Sequence, residues 1–256
     1  MNTFKYYSQV YDILYKNKNY QEESDYLLRH IQNYFTNAVN VLELGCGTGV
    51  HGSLLAESGY EVLGIDKSRQ MIEIANKRRD TLAQTTKDRL SFQVGDIREF
   101  EPENKFDIIL SLFHVMSYQT KNSDLLAVFK TVERSLNHGG MFLFDCWYGP
   151  AVLTDRPSKR IKKGENDTIR VTRTAIPTLL LRDNIVEVNF HIDLYDKVKL
   201  SSDSFNELHR MRYLFSPEIH YLFRKSGLSF ELEEEWLTGN IPSDNTWYVI
   251  FIGRKS

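Results

Sequence analysis

Between residues 39 and 145 short apolar runs alternate with amphipathic stretches. The runs at 39–44, 61–65, 90–94, 106–110 and 141–145 have the length and the β-branched content of buried strands. Between them lie helical patterns. One at 50–58 stops at Gly59, and one that Ser68 can cap presents Met71, Ile72, Ala75 and Arg78. Another at 122–136 carries Leu125, Val128, Phe129 and Val132 and ends in the turn Asn137-His138-Gly139-Gly140. Residues 1–36 also read as helical, with Tyr26, Leu27, Ile31 and Phe35 at helical spacing. Five strands joined by helical crossovers predict an α/β fold with a doubly wound, mostly parallel sheet.

After Pro150 the period changes to two. Val186, Val188, Phe190, Ile192 and Leu194 alternate with Glu187, Asn189, His191 and Asp193, and Asp183-Asn184 offers a turn before them. Met211, Tyr213 and Phe215 alternate with Arg210 and Arg212. Residues 151–215 therefore read as an antiparallel β insertion. Ser216-Pro217-Glu218 starts a helix, with Ser216 as its cap, that ends at Ser226-Gly227. Two last strands, 228–236 and 247–253, read as an antiparallel edge pair.

With 256 residues the chain suits one large α/β domain bearing an elaborated subdomain. A net charge of −2 argues against a general nucleic-acid footprint, and the basic run Lys159-Arg160-Ile161-Lys162-Lys163 reads as a solvated loop. Cys46 and Cys146 stand in no metal spacing and read as reduced, half-buried thiols, so no metal set is expected. The N-terminal residues show no apolar leader, and no segment approaches the ~20 apolar residues needed to span a bilayer. These features predict a cytoplasmic protein without membrane or nucleic-acid partners, monomeric or homodimeric.

The chemistry concentrates where the strands end. Val41-Leu42-Glu43-Leu44-Gly45-Cys46-Gly47-Thr48-Gly49 leaves the first strand with three glycines at alternate positions. They permit a tight turn and the close approach of a ligand, with the next helix pointing its positive end at the pocket. A dinucleotide fingerprint needs a glycine at position 50, where this chain has Val50. Glu43 is also wrong for a pyrophosphate and suits a ligand carrying an ammonium and a sulfonium. Asp66 closes the second strand, where a carboxylate accepts ribose hydroxyls, and Asp96 follows the third, placed for an exocyclic amine.

This block resembles motif I of the class I S-adenosylmethionine-dependent methyltransferases. Asp66 and Asp96 resemble the acids of its second and third motifs, and Phe106-Asp107-Ile108-Ile109-Leu110-Ser111 its fourth-strand motif. The resemblance implies a Rossmann-like, seven-stranded sheet and S-adenosylmethionine as cofactor. It implies that Gly45 and Gly47 line the methionine portion, Asp66 the ribose, and Asp96 with Ile97 the adenine. Tyr11, Glu43, Cys46, Lys67 and Phe113 join that set, as does Met71, which reads equally as a core side chain.

For the methyl acceptor, Ser111-Leu112-Phe113-His114 replaces the Asn/Asp-Pro-Pro-aromatic tetrapeptide of amino-group DNA methyltransferases. The chain is similar to N,N-dimethyltransferases of nucleotide-linked amino sugars. The likeness lies in Tyr11-Asp12-x-x-Tyr15, Phe113-x-x-x-x-Tyr118, Asp145-x-Trp147 and the block 209–227. It implies residues 1–38 as a helical lid, 39–150 and 216–256 as the core, and 151–215 as a cover over the acceptor.

The chain departs from that pattern at Asp145-Cys146-Trp147-Tyr148, where a Pro is expected, and at His114, where a small residue is common. An O-methyltransferase of a sugar or metabolite hydroxyl is thus the alternative, and a non-catalytic cofactor-binding module a third reading. His114 is the first candidate base and Asp145 the second, as base or amine acceptor. The alternatives are a half-buried structural histidine and a loop cap. Among Tyr7, Tyr11 and Tyr15 a lid residue is expected. Tyr118, Trp147 and Tyr148 are expected to wall the acceptor. Glu187, Asn189, His191 and Asp193 form either a hydroxyl-reading face or a solvated one.

Overall fold

The computed structural model describes residues 7–35 and 37–256. The helical reading of residues 1–6 and 36, and the leader reading of the first residues, lie outside the described residues. Two helices open the chain, α1 (Ser8–Leu14) and α2 (Tyr20–Tyr34), in place of one continuous helical segment. The break falls at residues 15–19, where the Asn19 side chain accepts from Glu22 N at 3.2 Å and starts α2 afresh.

The alternating pattern then becomes β1 (Asn40–Leu44), α3 (Val50–Glu57), β2 (Glu61–Asp66), α4 (Arg69–Asp80), α5 (Gln84–Lys87), β3 (Leu90–Val94) and β4 (Phe106–Ser111). Ser68 Oγ accepts Met71 N at 3.3 Å and caps α4. Its last turn carries Lys77, Arg78 and Arg79, favourable at the negative end of a helix. Next come α6 (Asn122–Ser135), β5 (Leu136–Trp147) and α7 (Gly149–Thr154). β5 begins five residues earlier than the apolar run suggests, because Leu136 already pairs with Phe106 across a register shift.

The main sheet has the order β10-β11-β5-β4-β1-β2-β3, with β10 (Leu228–Glu235) and β11 (Tyr248–Lys255) from the chain's end. β1 to β5 run parallel, and β11 lies antiparallel between β5 and the edge strand β10. Each central strand is buried on both faces. Ile109, Phe142, Phe144 and Phe251 pack against α6 and α8 (Ser216–Lys225), while Ile108, Leu110, Leu143 and Ile250 pack against α2, α3 and α4. The strand order reverses between β1 and β4, and open α/β sheets bind ligands outside the carboxyl ends at such a point.

Residues 160–212 form a second, antiparallel sheet in the order β6-β7-β8-β9: β6 (Arg160–Glu165), β7 (Ile169–Leu180), β8 (Ile185–Asp196) and β9 (Ser201–Arg212). Val171 and Ile192 pack on Val10 and Leu14 of α1. Glu187, Asn189, His191 and Asp193 lie on the opposite, solvated face. There Glu187 pairs with Arg210 at 3.1 Å and His191 Nδ1 lies 2.9 Å from Asn206 Oδ1.

Two readings are corrected here. The basic run 159–163 is not a loop, since Arg160 to Glu165 pair with β7. The strand read at 211–215 ends at Arg212 and starts ten residues earlier, in polar sequence paired with β8. Phe215, not Ser216, precedes the first residue of α8, and its N–H donates to Glu218 Oε1 at 2.9 Å. No helix of the described residues is long and apolar enough to cross a membrane.

Candidate active site

The end of β1 is bent by glycine. Gly45 and Gly47 have φ of +77° and +55°, in the left-handed region. A Cβ on Gly45 would lie 2.6 Å from the Val115 methyls, so this turn touches the segment after β4, whereas a Cβ on Gly47 would meet nothing within 4 Å. The turn thus opens into space at Gly47. Asp66 fixes it there, Oδ2 accepting Gly47 N at 3.0 Å and Oδ1 accepting Ser68 N at 2.8 Å. Burial raises the Asp66 pKa, with these two bonds working the other way.

Glu43 lies beneath the turn, 2% exposed, and its Oε2 has no hydrogen-bond partner among the described residues. Burial pushes its pKa up to about 8, the Gly52 backbone N–H working the other way and the Asp66 charge adding to the rise. His51, in the first turn of α3, lies between two acids: Nδ1 is 3.8 Å from Glu43 Oε1 and Nε2 is 2.8 Å from Glu23 Oε2. Burial alone would raise the Glu23 pKa, but the His51 bond and the Lys18 charge outweigh it and hold it at about 2. His51, Glu23 and Lys18 escape a sequence reading, since no spacing links α2 to the glycine turn.

Asp96 is engaged on both oxygens. Arg98 Nε and Nη2 donate at 2.9 and 2.6 Å, and Lys67 Nζ at 2.9 Å. The Arg98 bonds hold its carboxyl well below the usual carboxylate range. Met71 and Ile97 are buried and line the same wall. Cys46 lines it too, and both thiols are free and buried, with pKa values raised by burial.

These residues face one cavity of about 790 Å³, which continues from the glycine turn to the inner face of β6–β9. Tyr7, Tyr11 and Tyr15 lie along it, and Tyr11 and Tyr15 meet the Phe113 ring edge-to-face at 6.3 and 5.0 Å. Phe113 and His114 both take left-handed φ, +61° and +66°, a strained pair for residues with side chains. Asp145, 2% exposed, holds the turn: its oxygens accept His114 N at 3.1 and 3.2 Å, and Oδ2 lies 2.5 Å from His114 Nδ1. The imidazole stacks on Tyr248 with ring centroids 4.5 Å apart.

Trp147 and Tyr118 reach the cavity. Tyr148 does not line it: it packs on the core beside α8 with its hydroxyl 3.3 Å from Ser216 Oγ, because neighbouring residues of an extended segment face opposite ways. Arg160, Lys162, Arg173 and His209 of the second sheet also line the cavity. Arg160 and Lys162 stand in the basic run and His209 opens the block 209–227, yet neither stretch reads as cavity lining, and the sequence context of Arg173 does not mark it.

A family model described as a methyltransferase domain matches residues 41–140. The chain is similar to the dTDP-3-amino-3,4,6-trideoxy-alpha-D-glucopyranose N,N-dimethyltransferase of Streptomyces venezuelae, 23% identical over 232 residues that cover 89% of this chain and 92% of that one. Among solved structures it shares its fold with Streptomyces venezuelae DesVI, at a TM-score of 0.81, 21% identity and 98% coverage of each chain. It also shares it with CalS10, an amino pentose methyltransferase from Micromonospora echinaspora solved with its S-adenosylmethionine bound, at 0.75, 19% identity and coverage of 99% and 98%.

The residues present suit that cofactor: an unobstructed turn at Gly47, a carboxylate at Asp66, an apolar slot at Met71 and Ile97, and at Glu43 a buried acid with an unpaired oxygen. Two alanine substitutions separate folding from binding. Gly45→Ala forces a methyl onto Val115 and is expected to lower stability by about 2–3 kcal/mol. Gly47→Ala meets no atom, so only backbone strain of about 1 kcal/mol applies, while its methyl enters the cavity and weakens S-adenosylhomocysteine binding about tenfold. Paired melting curves and calorimetry check both. The glycine turn, the acids that hold it, the reversal point of the sheet and the methyltransferase domain matched at residues 41–140 converge on an S-adenosylmethionine-dependent methyltransferase.

Proposed function

We propose that this enzyme methylates the amino group of a sugar carried on a nucleotide diphosphate. The observation that carries this reading is an excess of positive charge at the acceptor end of the cavity. Arg160, Lys162 and Arg173 line it, and none of the three has a carboxylate partner among the described residues. Arg173 Nη1 instead donates to the hydroxyls of Tyr7 and Tyr15 at 2.7 and 3.0 Å, and its buried Nε has no hydrogen-bond partner. Lys162 Nζ lies 4.1 Å from the Tyr15 ring centroid, its pKa lowered by burial and by Arg173 and Lys18. Lys162 and Arg173 are half-buried and Arg160 is exposed at the wall's edge; cations so placed call for an anion, and a diphosphate meets an arginine fork well. Beside them Trp147 and Trp247, edge-to-face at 5.9 Å, offer apolar ring surface to a sugar. The amino-sugar activities named for the similar proteins support the same acceptor.

When bound, S-adenosylmethionine supplies an electrophilic methyl group on a sulfonium. The chain's own residues bind, orient and exclude water. Asp66 and the glycine turn hold the ribose and methionine ends, and Asp96, Ile97 and Met71 the adenine. Tyr11 and Tyr15, packed on Phe113, close the lid side. Asp145 and the strained turn fix the His114 ring so that its Nε2, the nitrogen Asp145 does not engage, hydrogen-bonds the acceptor. The short His114–Asp145 contact also favours a second reading, O-methylation, in which Nε2 takes the proton of a hydroxyl.

The test is mass spectrometry after incubation with S-adenosylmethionine and matched nucleotide-linked amino sugars, hydroxy sugars and free amino sugars. Product on the nucleotide-linked amines alone is expected, with Arg173→Met raising KM more than tenfold. Methylation of the hydroxy sugars alone would move the assignment to O-methylation, and equal turnover of free amino sugars would remove the nucleotide.

A further inference from the structure

The cavity holds a second set of polar groups that neither the cofactor nor the anion site uses. Tyr118 ends the short 3-10 turn after β4, and its hydroxyl lies 2.8 Å from His209 Nδ1. His209, 1% exposed, lies on β9 two residues from Glu207, so both side chains leave the same face of the strand. His209 Nε2 is 3.4 Å from Glu207 Oε2, and Glu207 Oε1 accepts Tyr7 N at 3.0 Å. The imidazole is held between Phe190, at 4.4 Å, and the edge of Tyr7, at 5.7 Å. Tyr118 and His209 both line the cavity, whereas Glu207 is buried behind them.

Methyl transfer to nitrogen needs a lone pair, yet an alkyl amine reaches the enzyme at neutral pH as an ammonium. A cavity closed by aromatic side chains gives that proton little water to leave by. Resting on the amino-group reading above, we propose that Tyr118, His209 and Glu207 form the relay that deprotonates the acceptor. The ammonium N–H bond breaks and its electron pair stays on nitrogen as the nucleophile. The proton passes to Tyr118 Oη as the phenolic proton moves to His209 Nδ1, and the resulting imidazolium is balanced by the Glu207 carboxylate. Tyr118 is thus the group that touches the acceptor, and Glu207 is a positioning residue acting through His209.

The surroundings suit a relay in which the phenol stays neutral. Tyr118 is faced by Tyr11 and Tyr15 from the N-terminal segment, Arg173 from β7, Asp66 from β2 and Glu207 from β9. Burial, then the Tyr15 and Glu207 charges, push its pKa well up, so a free tyrosinate is disfavoured and the proton must be handed on as another arrives. Each methyl transfer ends with a new ammonium; a second methylation uses the relay again once the imidazolium has returned its proton through Tyr118 Oη to water in the cavity.

The test is a pH profile of N-methylation for wild type, Tyr118→Phe and Glu207→Gln, with S-adenosylhomocysteine calorimetry to confirm that each variant is folded. Tyr118→Phe is expected to lower kcat about 30-fold at pH 7 with KM within threefold, and to approach wild type by pH 9, where more of the acceptor arrives neutral. Glu207→Gln should show the same pH-dependent deficit, smaller in size, and carries the test should Tyr118→Phe not fold. A loss that is uniform across pH, a change in KM alone, or wild-type kcat at pH 7 would overturn the relay while leaving the amine reading intact. Wild type inactive on every amine would overturn both.

Discussion

Replacing Asp66 by alanine is expected to weaken S-adenosylhomocysteine binding by two orders of magnitude or more. The carboxylate bridges the glycine turn and the start of α4 through Gly47 N and Ser68 N, at 3.0 and 2.8 Å. Without it two backbone donors lose their acceptor, at about 1 kcal/mol each, and a hydroxyl hydrogen-bonded to a charge loses about 1.5–3 kcal/mol more. A combined loss of about 3.5–5 kcal/mol is several hundredfold or more in Kd. Asp66→Asn keeps one acceptor oxygen and should fall between the two. Calorimetric affinities within threefold of wild type for the alanine variant would remove Asp66 from the cofactor site.

The second large effect concerns Glu43 and pH. With its pKa near 8 against 4.5 for an ordinary glutamate, Glu43 keeps its proton in the folded chain between those values while the unfolded chain loses it. The folded state then binds more protons, so this residue's contribution to stability falls as pH rises from 4.5 to 8 and is level above. Glu43→Gln lifts that penalty and should raise Tm at pH 8 by about 5 °C, for a gain of about 2 kcal/mol.

On the reading that the Glu43 carboxylate is the counter-charge for the ligand's ammonium, the same substitution should weaken S-adenosylhomocysteine binding about a hundredfold at pH 8. Wild type should bind more tightly as pH rises from 6 to 8 and release a proton on binding, read as a buffer-dependent enthalpy at pH 7. A Glu43→Gln chain that is less stable at pH 8 and binds normally would sink this account.

The glycine-turn end of the cavity was legible because its signals are local. Glycine at 45, 47 and 49 and acids at strand ends need only their own neighbours to be read, and the structure places Glu43, Asp66 and Asp96 on one wall. Asp66 and Asp96 nevertheless stand in bonds that spacing does not reveal, to Gly47 N and to Arg98. The acceptor half was not legible in the same way. β6 is hidden among lysines and arginines, and β9 begins in Ser201-Ser202-Asp203-Ser204, all exposed, so no apolar alternation marks its start. The contacts Tyr118–His209 and Arg173–Tyr7 join residues 91 and 166 positions apart, and only the folded chain defines them. Tyr148 misled because an aromatic next to Trp147 suggests a shared wall, whereas adjacent residues of extended backbone point apart.

The four-stranded sheet has a consequence for how this enzyme can diversify. Its strands hydrogen-bond among themselves and not to the main sheet, and α1 and a single bridge between Tyr148 and Leu214 are among its ties to the core. Arg160, Lys162, Arg173 and His209 all reside on it, whereas Glu43, Asp66 and Asp96 belong to the main sheet's loops and strand ends. On the proposed reading, the second sheet supplies the acceptor's cationic wall while the core supplies the methyl-donor side and, through Tyr118, Trp147 and Trp247, part of the acceptor side. Exchanging residues 160–212 between homologous enzymes should retarget the acceptor while leaving the methyl donor untouched, so new specificity can arise by grafting one plate onto a constant engine.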